Sequence, residues 1–335
     1  MRAIELQTTG PELFKLVERP KPRPRRGDIV VRVHAASINY RDHQVASGSY
    51  HMPLRLPLIP LSDGAGEVVE VGEDVTRFRP GERVASCFWQ RWDAGGCEHC
   101  DPLSTLGGPL DGMLAEYVVL DERGAVKVPS HLSDEEAASL PCAAVTAWRG
   151  LVTEGHIQAG DQVLIQGTGG VSLFALQIAN MVGARAIVVS RSAAKLERAK
   201  ALGAAVGIDL KRTSDWVADV LEETGGRGVD HIVDVSGPPD FAQTMRALRI
   251  GGQINIVGYV GGMRGEINPL MLLERQATLR GLQVGPRSSF EALTRALTAT
   301  GTRPVIDSVH PWTEVGAALN HLRRGEHFGK IALRF

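Results

Sequence analysis

The chain is 335 residues long, more than one hydrophobic core usually serves, so we expect two domains. Its formal net charge of −1 argues against nucleic acid or an anionic membrane as the main partner, because both require a basic surface. The 4 cysteines are too few for a disulfide framework in a protein of this size. No apolar segment approaches the roughly 20 residues that span a bilayer, and no apolar signal core opens the sequence, so we expect a cytoplasmic protein.

The first part of the chain is typical of short strands separated by turns. Apolar and polar residues alternate in DIVVRVHAASI (28–38) and AGEVVEVG (65–72), and GERVAS (81–86) and AEYVVL (115–120) follow after Pro and Gly. Such spacing predicts a β-rich, barrel-like unit. The Gly-, Trp- and Asp-rich stretch 89–112 is predicted to be a surface loop.

From Ser133 the pattern changes to helices and buried strands. Ser133 and Glu136 have capping-box spacing, and Pro141 should break or restart the helix that they begin. Apolar strands then alternate with helices from DQVLIQG (161–167) onward. This alternation predicts a parallel sheet with crossover helices, a doubly wound α/β domain. Near its end we predict a helix over 239–252 and a strand over 253–261.

A glycine-rich turn joins the first of these strands to its helix. The strand runs into GTGGVS (167–172), with Gly167, Thr168, Gly169, Gly170 and Val171 in the turn. Glycines let the backbone approach a pyrophosphate, and the helix N-terminus supplies N–H donors. Ser172 replaces the third glycine but is still small. An ordinary βα turn would not need three glycines in four positions, so we predict a dinucleotide site.

The end of the second strand indicates which dinucleotide. An NAD site usually has Asp or Glu about 20 residues beyond the glycines, whereas this strand ends with Ser190, Arg191 and Ser192, and Lys195 follows. Cationic side chains suit the 2′-phosphate of NADP(H), which a carboxylate would repel. The charge pattern favours NADPH; a solvated helix start is the alternative interpretation.

With these features in place, the chain resembles the medium-chain dehydrogenases/reductases, in particular the zinc-free members near the quinone oxidoreductases and NAD(P)-dependent alcohol dehydrogenases. The matching motifs are INYRDHQVASGSY (38–50), IPLSDGAGEVVEVG (59–72), AASLPCAAVTAW (137–148), VLIQGTGGVSLFALQIA (163–179), GRGVDHIVDVSG (226–237) and HFGKIALRF (327–335). The resemblance implies a GroES-like catalytic domain over 1–130 and 287–335, a Rossmann NADP-binding domain over 131–286, an active cleft between them, and a homodimer or homotetramer.

The resemblance also implies where a catalytic zinc would be held. In zinc-containing relatives the ligands are Cys, His and Cys, and here the matching positions are Asn39 or Tyr40, Ser62 and Cys142. One thiol cannot hold the metal, so we predict no catalytic zinc. Cys97 and Cys100 form a C-x-x-C pair. Such a pair is found in metal sites and in redox sites, but we prefer to interpret it as the remnant of a loop that binds structural zinc in relatives.

Candidate catalytic residues lie in the motif INYRDHQVASGSY. Asn39 offers an amide donor, Tyr40 a phenol that can protonate an enolate, and Asp42 a group that orients a neighbour. The alternative for each is structural: Asn39 satisfies a strand end, and an Arg41–Asp42 pair holds the loop. Protons for an enolate also come from solvent.

Further residues are assigned by resemblance. Those implied around the nicotinamide are Thr146, Val235, Ser236, Val257, Gly258, Tyr259, Val284, Gly285, Gly329 and Lys330. Those proposed to line the substrate cleft are Tyr50, Ser62, Asp63, Trp89 and Trp92, although the tryptophans would equally serve to pack the long loop.

These features predict an NADPH-dependent oxidoreductase that transfers hydride to quinones or α,β-unsaturated carbonyls. Without zinc, negative charge on the substrate oxygen needs hydrogen-bond donors, and a phenolate or enolate needs the least help. Secondary alcohol dehydrogenation is the alternative. A non-enzymatic NADPH-binding protein, such as a sensor or crystallin, is a third interpretation.

Overall fold

The computed structural model describes residues 1–9 and 14–335, which form two compact units. One unit comprises Met1–Val145 and Val284–Phe335, and the other comprises Thr146–Gln283. The sequence suggested a boundary after residue 130, whereas the helix that follows it packs on strands of the first unit. Asp134 in that helix accepts a 2.6 Å hydrogen bond from Arg83, and Glu136 binds Arg303, so 131–145 fold with the first unit.

The first unit is built mainly of strands. Its strands are β1 (Arg2–Leu6), β2 (Phe14–Glu18), β3 (Asp28–Ile38), β4 (Asp63–Val71), β5 (Arg83–Ser86), β6 (Tyr117–Asp121), β7 (Ala125–Lys127), β14 (Ile306–Pro311) and β15 (Lys330–Arg334). Its helices are α1 (Tyr40–Ser47), α2 (Asp134–Ala138), α9 (Arg287–Thr300) and α10 (Val315–Arg324), and α3 (Val145–Trp148) begins at its boundary.

These strands form one long sheet and a small one. The order in the large sheet is β14-β15-β3-β4-β5-β7, with β6 also paired to β3, and β1 pairs with β2. β15 runs antiparallel to β3, with Ile331 opposite Ile38. The end of the chain therefore returns to the N-terminal strands, and it lies beside the segment that follows β3.

The second unit alternates strands and helices. Its strands are β8 (Gln162–Gln166), β9 (Arg185–Ser190), β10 (Val206–Asp209), β11 (Val229–Asp234), β12 (Leu248–Ile256) and β13 (Thr278–Gly281). Its helices are α4 (Gly170–Val182), α5 (Ala193–Ala201), α6 (Trp216–Glu223), α7 (Phe241–Ala247) and α8 (Pro269–Arg275).

All six strands of this unit form one parallel sheet. Their order is β10-β9-β8-β11-β12-β13. From β8, the next strands β9 and β10 are added on one side and β11 to β13 on the other, so the strand order reverses between β8 and β11. A parallel sheet with this order binds ligands at the carboxyl ends of its strands, near the point of reversal. The predicted doubly wound α/β fold is confirmed.

One predicted helix is too long. The sequence predicted a helix over 239–252, but α7 ends at Ala247 and β12 already begins at Leu248. Leu248 is fully buried, and Gly251 has φ 73°, which a helix does not allow. Sheet burial therefore overrides the helix-favouring Met-Arg-Ala-Leu-Arg run.

Pro141 restarts the helical backbone, since a short π-helical segment over Leu140–Ala144 follows α2 and leads into α3. No helix within the described ranges is long and apolar enough to cross a bilayer.

Candidate functional site

The glycine turn of the second unit has the backbone shape that its sequence predicted. Gly167 has φ 74°, a conformation that side chains disfavour, and Gly169 is the N-cap of α4. A glycine N-cap has no side chain to accept hydrogen bonds from the first turn of the helix. The N–H donors of that turn are thus left without a side-chain cap, which suits a pyrophosphate.

Ser172 explains the departure from the three-glycine pattern. Its Oγ donates a 2.7 Å hydrogen bond to the backbone oxygen of Gln166, at the end of β8. The bond ties the first turn of α4 back to the strand. A serine therefore performs the close strand-to-helix packing that a glycine would otherwise permit.

The end of β9 presents a cation and no carboxylate. Ser190 is its last residue and is buried, and Ser192 caps α5 by accepting from the backbone N–H of Lys195. Arg191 lies between them and is exposed. Its guanidinium has no ion pair or hydrogen bond with any other residue in 1–9 or 14–335.

The remaining predicted cofactor residues of this unit lie mostly at the same sheet edge. Val235 and Ser236 follow β11, and Val257, Gly258 and Tyr259 follow β12. The two loops are tied together, because the N–H of Val260 donates to the oxygen of Val235 at 3.1 Å. Since these strands are parallel, the loops lie at the edge that also holds the glycine turn. Thr146 is buried in α3.

Two predicted cofactor residues begin the C-terminal part of the first unit. Val284 has φ 55°, and its neighbour is Gly285. A β-branched residue in the left-handed region is strained by roughly 1–3 kcal/mol, and such strain clusters at functional sites. The cofactor role of these residues stays a prediction.

In the first unit, the predicted catalytic residues surround the start of α1. Asn39 is its N-cap and Tyr40 its first residue. The Asp42 carboxylate accepts a 2.8 Å hydrogen bond from the backbone N–H of Asn39, as part of a capping box at the start of α1, and its catalytic role stays a prediction. Tyr40 is 42% exposed, and its ring centroid lies 6.1 Å from that of His43.

Lys330 joins this group from the other end of the chain. Its side chain is buried, and Nζ donates to the backbone oxygen of Ile38 at 2.7 Å and to Oδ1 of Asn39 at 2.5 Å. The sequence placed Lys330 beside the cofactor by resemblance alone, and the contact with Asn39 was not foreseen. No sequence signal indicates that contact, since it depends on the pairing of β15 with β3.

Arg41 holds a loop of the first unit. Its guanidinium donates to the backbone oxygens of Leu106 at 2.8 Å and Gly108 at 3.1 Å and lies 3.5 Å from the Asp42 carboxylate. Tyr50 stacks on the guanidinium, 4.8 Å from ring centroid to Cζ. These contacts favour the structural interpretation of the Arg41–Asp42 pair.

Ser62 and Asp63 are completely buried and bonded to protein atoms. Ser62 Oγ donates to the Asp63 carboxylate at 2.7 Å, and the other carboxylate oxygen accepts from the backbone N–H of Cys142 at 3.1 Å. Asp63 therefore fixes the turn that carries Cys142. Their role in lining a substrate cleft stays a prediction.

The two tryptophans are buried as well. Trp89 and Trp92 meet edge to face with ring centroids 6.0 Å apart, and Trp89 forms a strand-like bridge with Thr105. This packing supports the interpretation that they fasten the long loop. Part of the predicted surface loop 89–112 is therefore buried, and Leu106 joins the core of the first unit.

The cysteines differ in exposure: Cys87 is buried, Cys97 is exposed, and Cys100 and Cys142 are half-buried. Burial, and next the Asp63 carboxylate, raise the pKa of the Cys142 thiol, which keeps it protonated. Cys97 is exposed and begins a short 3-10 turn that ends before Cys100. Within the described part of the chain, no group of three or more His, Cys, Asp or Glu side chains is placed to hold a metal ion.

Two family models match the chain. Residues 25–130 match the alcohol dehydrogenase GroES-like domain, and residues 170–299 match the zinc-binding dehydrogenase model. The two matched segments fall on the β-rich part of the first unit and on most of the doubly wound second unit.

Among solved structures, a candidate alcohol dehydrogenase from Sinorhizobium meliloti 1021 has a TM-score of 0.93 at 43% identity, covering 100% of this chain and 98% of that one. An NAD-dependent alcohol dehydrogenase has a TM-score of 0.92 at 34% identity, covering 100% of both chains.

Curated relatives carry several names. The zinc-type alcohol dehydrogenase-like protein C1773.06c of Schizosaccharomyces pombe is 38% identical, over 97% of this chain and 94% of its own length. Acryloyl-coenzyme A reductase of Metallosphaera sedula is 29% identical over 96% of both proteins. Quinone oxidoreductase of Pongo abelii is 27% identical over 97% of this chain and 94% of its own. The chain belongs to the medium-chain dehydrogenase/reductase superfamily, with its GroES-like and Rossmann-type domains, and is an oxidoreductase of that type.

Proposed function

We propose that this protein is a zinc-independent, NADPH-dependent oxidoreductase that transfers hydride to α,β-unsaturated carbonyls or quinones. The observation that carries the proposal is a buried amide donor, Asn39 Nδ2, that has no hydrogen-bond partner among the described residues. A buried unsatisfied donor is costly unless a ligand completes it. An oxygen that becomes negative on reduction is such a ligand.

The charges around this donor support chemistry without a metal. Arg41 and Lys330 are buried cations, and Asp42 and Asp63 are buried acidic side chains close by. The formal charges of the four groups balance without a metal ion, so the cluster does not need a divalent ion for charge neutrality.

The residues at the family's zinc-ligand positions do not suit zinc either. Asn39 Oδ1 accepts from Lys330 and Ser62 Oγ donates to Asp63, which commits both oxygens to protein partners. Cys142 alone remains as a candidate ligand, and one thiol does not make a zinc site. A catalytic zinc site needs three protein ligands, which these positions do not supply.

NADPH supplies a hydride when it is bound, and residues of this chain then stabilise and protonate the reduced substrate. Hydride adds to the β-carbon of an enone, and the electron pair moves to the carbonyl oxygen as an enolate. The amide N–H of Asn39 donates to that oxygen, and a proton from the Tyr40 phenol or from solvent completes the reduction. The names of the acryloyl-coenzyme A and quinone reductases agree with this substrate class.

Secondary alcohol dehydrogenation is the second candidate, because the relatives of higher identity are named alcohol dehydrogenases. It would require the alkoxide of a simple ketone to be stabilised by the same amide. An alkoxide is more basic than an enolate and needs stronger assistance than one neutral donor gives.

The first test is an acceptor panel with enones, a benzoquinone and simple ketones, following the absorbance of reduced nicotinamide. We expect enones or the quinone to turn over faster than ketones. Asn39→Ala should lower kcat roughly a hundredfold, the usual cost of removing one donor to a developing oxyanion. Turnover confined to ketones and secondary alcohols would favour the second candidate.

Cofactor preference is tested at Arg191. We expect Arg191→Ala to raise KM for NADPH roughly tenfold or more while KM for NADH stays constant, because only NADPH carries the 2′-phosphate. Lys200→Ala removes an exposed cation from α5 and serves as the control. Equal use of NADH and NADPH by the unaltered protein would contradict the assignment.

The buried carboxyl gives a pH-dependent prediction. Burial raises the pKa of Asp42 from 3.8 to about 6, although Arg41 opposes the shift. The folded state then binds more protons than the unfolded state, so this group's contribution to stability falls as pH rises through that window. A shift of about two units corresponds to about 3 kcal/mol.

Urea unfolding of the protein and of Asp42→Asn should show this difference. The free energy of unfolding of the unaltered protein, relative to the variant, should fall between about pH 4 and pH 6 and be level above that range. A difference that rises with pH, or that is independent of pH, would rule out a carboxyl with a raised pKa.

A further inference from the structure

We infer that Lys330 is a positioning residue: its ammonium fixes and polarises the Asn39 amide, so that Nδ2–H is held as the donor to the substrate oxygen. This inference rests on the proposed function. It goes beyond that function because it assigns the orientation of the Asn39 donor to a residue on the last strand.

The chemistry of the contact determines which way the amide lies. Lys330 is 4% exposed, and Nζ donates to the oxygen of Ile38 and to one end of the Asn39 amide. An ammonium group has donors and no acceptor, so the amide atom that it meets has to be Oδ1. The NH₂ end therefore lies on the other side, where no described residue accepts from it.

The same contact strengthens the donor. A cation that donates to Oδ1 draws electron density from the amide, and hydrogen bonds in such a chain polarise one another. Asn39 is 8% exposed, so little water competes for this contact. A charged partner makes the Nδ2–H a better match for an enolate or phenolate oxygen than an isolated amide would be.

The backbone around Lys330 is built to hold it. Ile331 pairs with Ile38, which places Lys330 at the level of Asn39 where β3 ends. The N–H of Lys330 donates to the oxygen of Val305 at 3.0 Å. Gly329 has φ 97°, and a Cβ there would lie 2.4 Å from the same oxygen, so only glycine permits this approach.

No acidic side chain in the described ranges lies within 4.0 Å of the Lys330 ammonium. Burying a lysine is costly, and this ammonium donates to two neutral oxygens rather than to a carboxylate. The cofactor role that resemblance implies for Lys330 would instead require Nζ to bind a phosphate or ribose of the cofactor. Loss of the ammonium would then lower the affinity for NADPH, whereas loss of a positioning residue would lower kcat.

The test is a double-mutant cycle with Lys330→Met and Asn39→Ala, using NADPH and an enone. We expect Lys330→Met to lower kcat roughly ten- to a hundredfold, within the range for a lost oxyanion donor, with the affinity for NADPH measured by fluorescence unchanged. In the Asn39→Ala background, Lys330→Met should lower kcat no further, because its effect passes through the amide. Lys127→Met removes an exposed lysine of the same unit and should leave kcat unchanged.

Two variants keep the test decisive if Lys330→Met folds poorly. Asn39→Asp preserves shape and can still accept from the ammonium but has no N–H, so we expect it to stay folded with kcat as low as in Asn39→Ala. Lys330→Arg retains a buried cation and donors and should recover part of kcat. Effects of Lys330→Met and Asn39→Ala that multiply, or a loss of NADPH affinity as the main effect, would overturn the inference.

Failure of the Lys330 inference can be distinguished from failure of the proposed function. If the unaltered protein reduces no enone or quinone, the proposed function fails. The thermal unfolding midpoints of the same four proteins then still decide whether the contact exists, because coupled residues give non-additive shifts. Additive shifts would overturn the inference. If the unaltered enzyme is active and Lys330→Met has normal kcat, the inference fails while the proposed function stands.

Discussion

The pairing of β15 with β3 is the constraint on which the first unit's chemistry depends. It brings Lys330 to Asn39, residues 291 positions apart in the chain, and it buries the ammonium between two acceptors. Arg41 and Asp42 follow Asn39 directly, so a strand end, a helix start and the last strand meet in one polar cluster. Without that pairing the cluster would hold an unbalanced charge in a β-rich core.

The second unit solves a different electrostatic problem with its backbone. A glycine N-cap and a positive φ at Gly167 leave the first N–H donors of α4 without a side-chain cap, and the exposed Arg191 guanidinium stands at the end of the next strand. Both features suit phosphate groups, the first through dipoles and the second through charge. Neither requires a buried ion, whereas the first unit buries two cations.

The doubly wound unit was predictable in outline because its signals are local. Apolar strands, helix caps and the glycine turn each occupy a short stretch of sequence, and their order reveals a parallel sheet. The prediction failed over 248–252, where a helix-favouring run enters the sheet because Leu248 is buried there. Such an override depends on neighbouring strands that a local pattern does not contain.

The first unit's site was predictable only in part. The motif around Asn39 and the absence of a histidine at Ser62 were visible in the sequence, and the catalytic role of Asp42 stays a prediction. The sequence also offered packing of the long loop by Trp89 and Trp92 as one of two interpretations. The bonds of Ser62 and Asp63 to one another and to Cys142, and the Lys330–Asn39 contact, were not visible. Each of these depends on distant segments that the sheet brings together.

We propose that protein donors and buried cations, rather than a metal ion, take the charge that hydride transfer creates. The most direct measurement is the rate of NADPH oxidation with an enone before and after dialysis against a zinc chelator, and again after zinc is restored. The account predicts the same rate in all three samples. A rate that is lost with the chelator and recovered with stoichiometric zinc would contradict it.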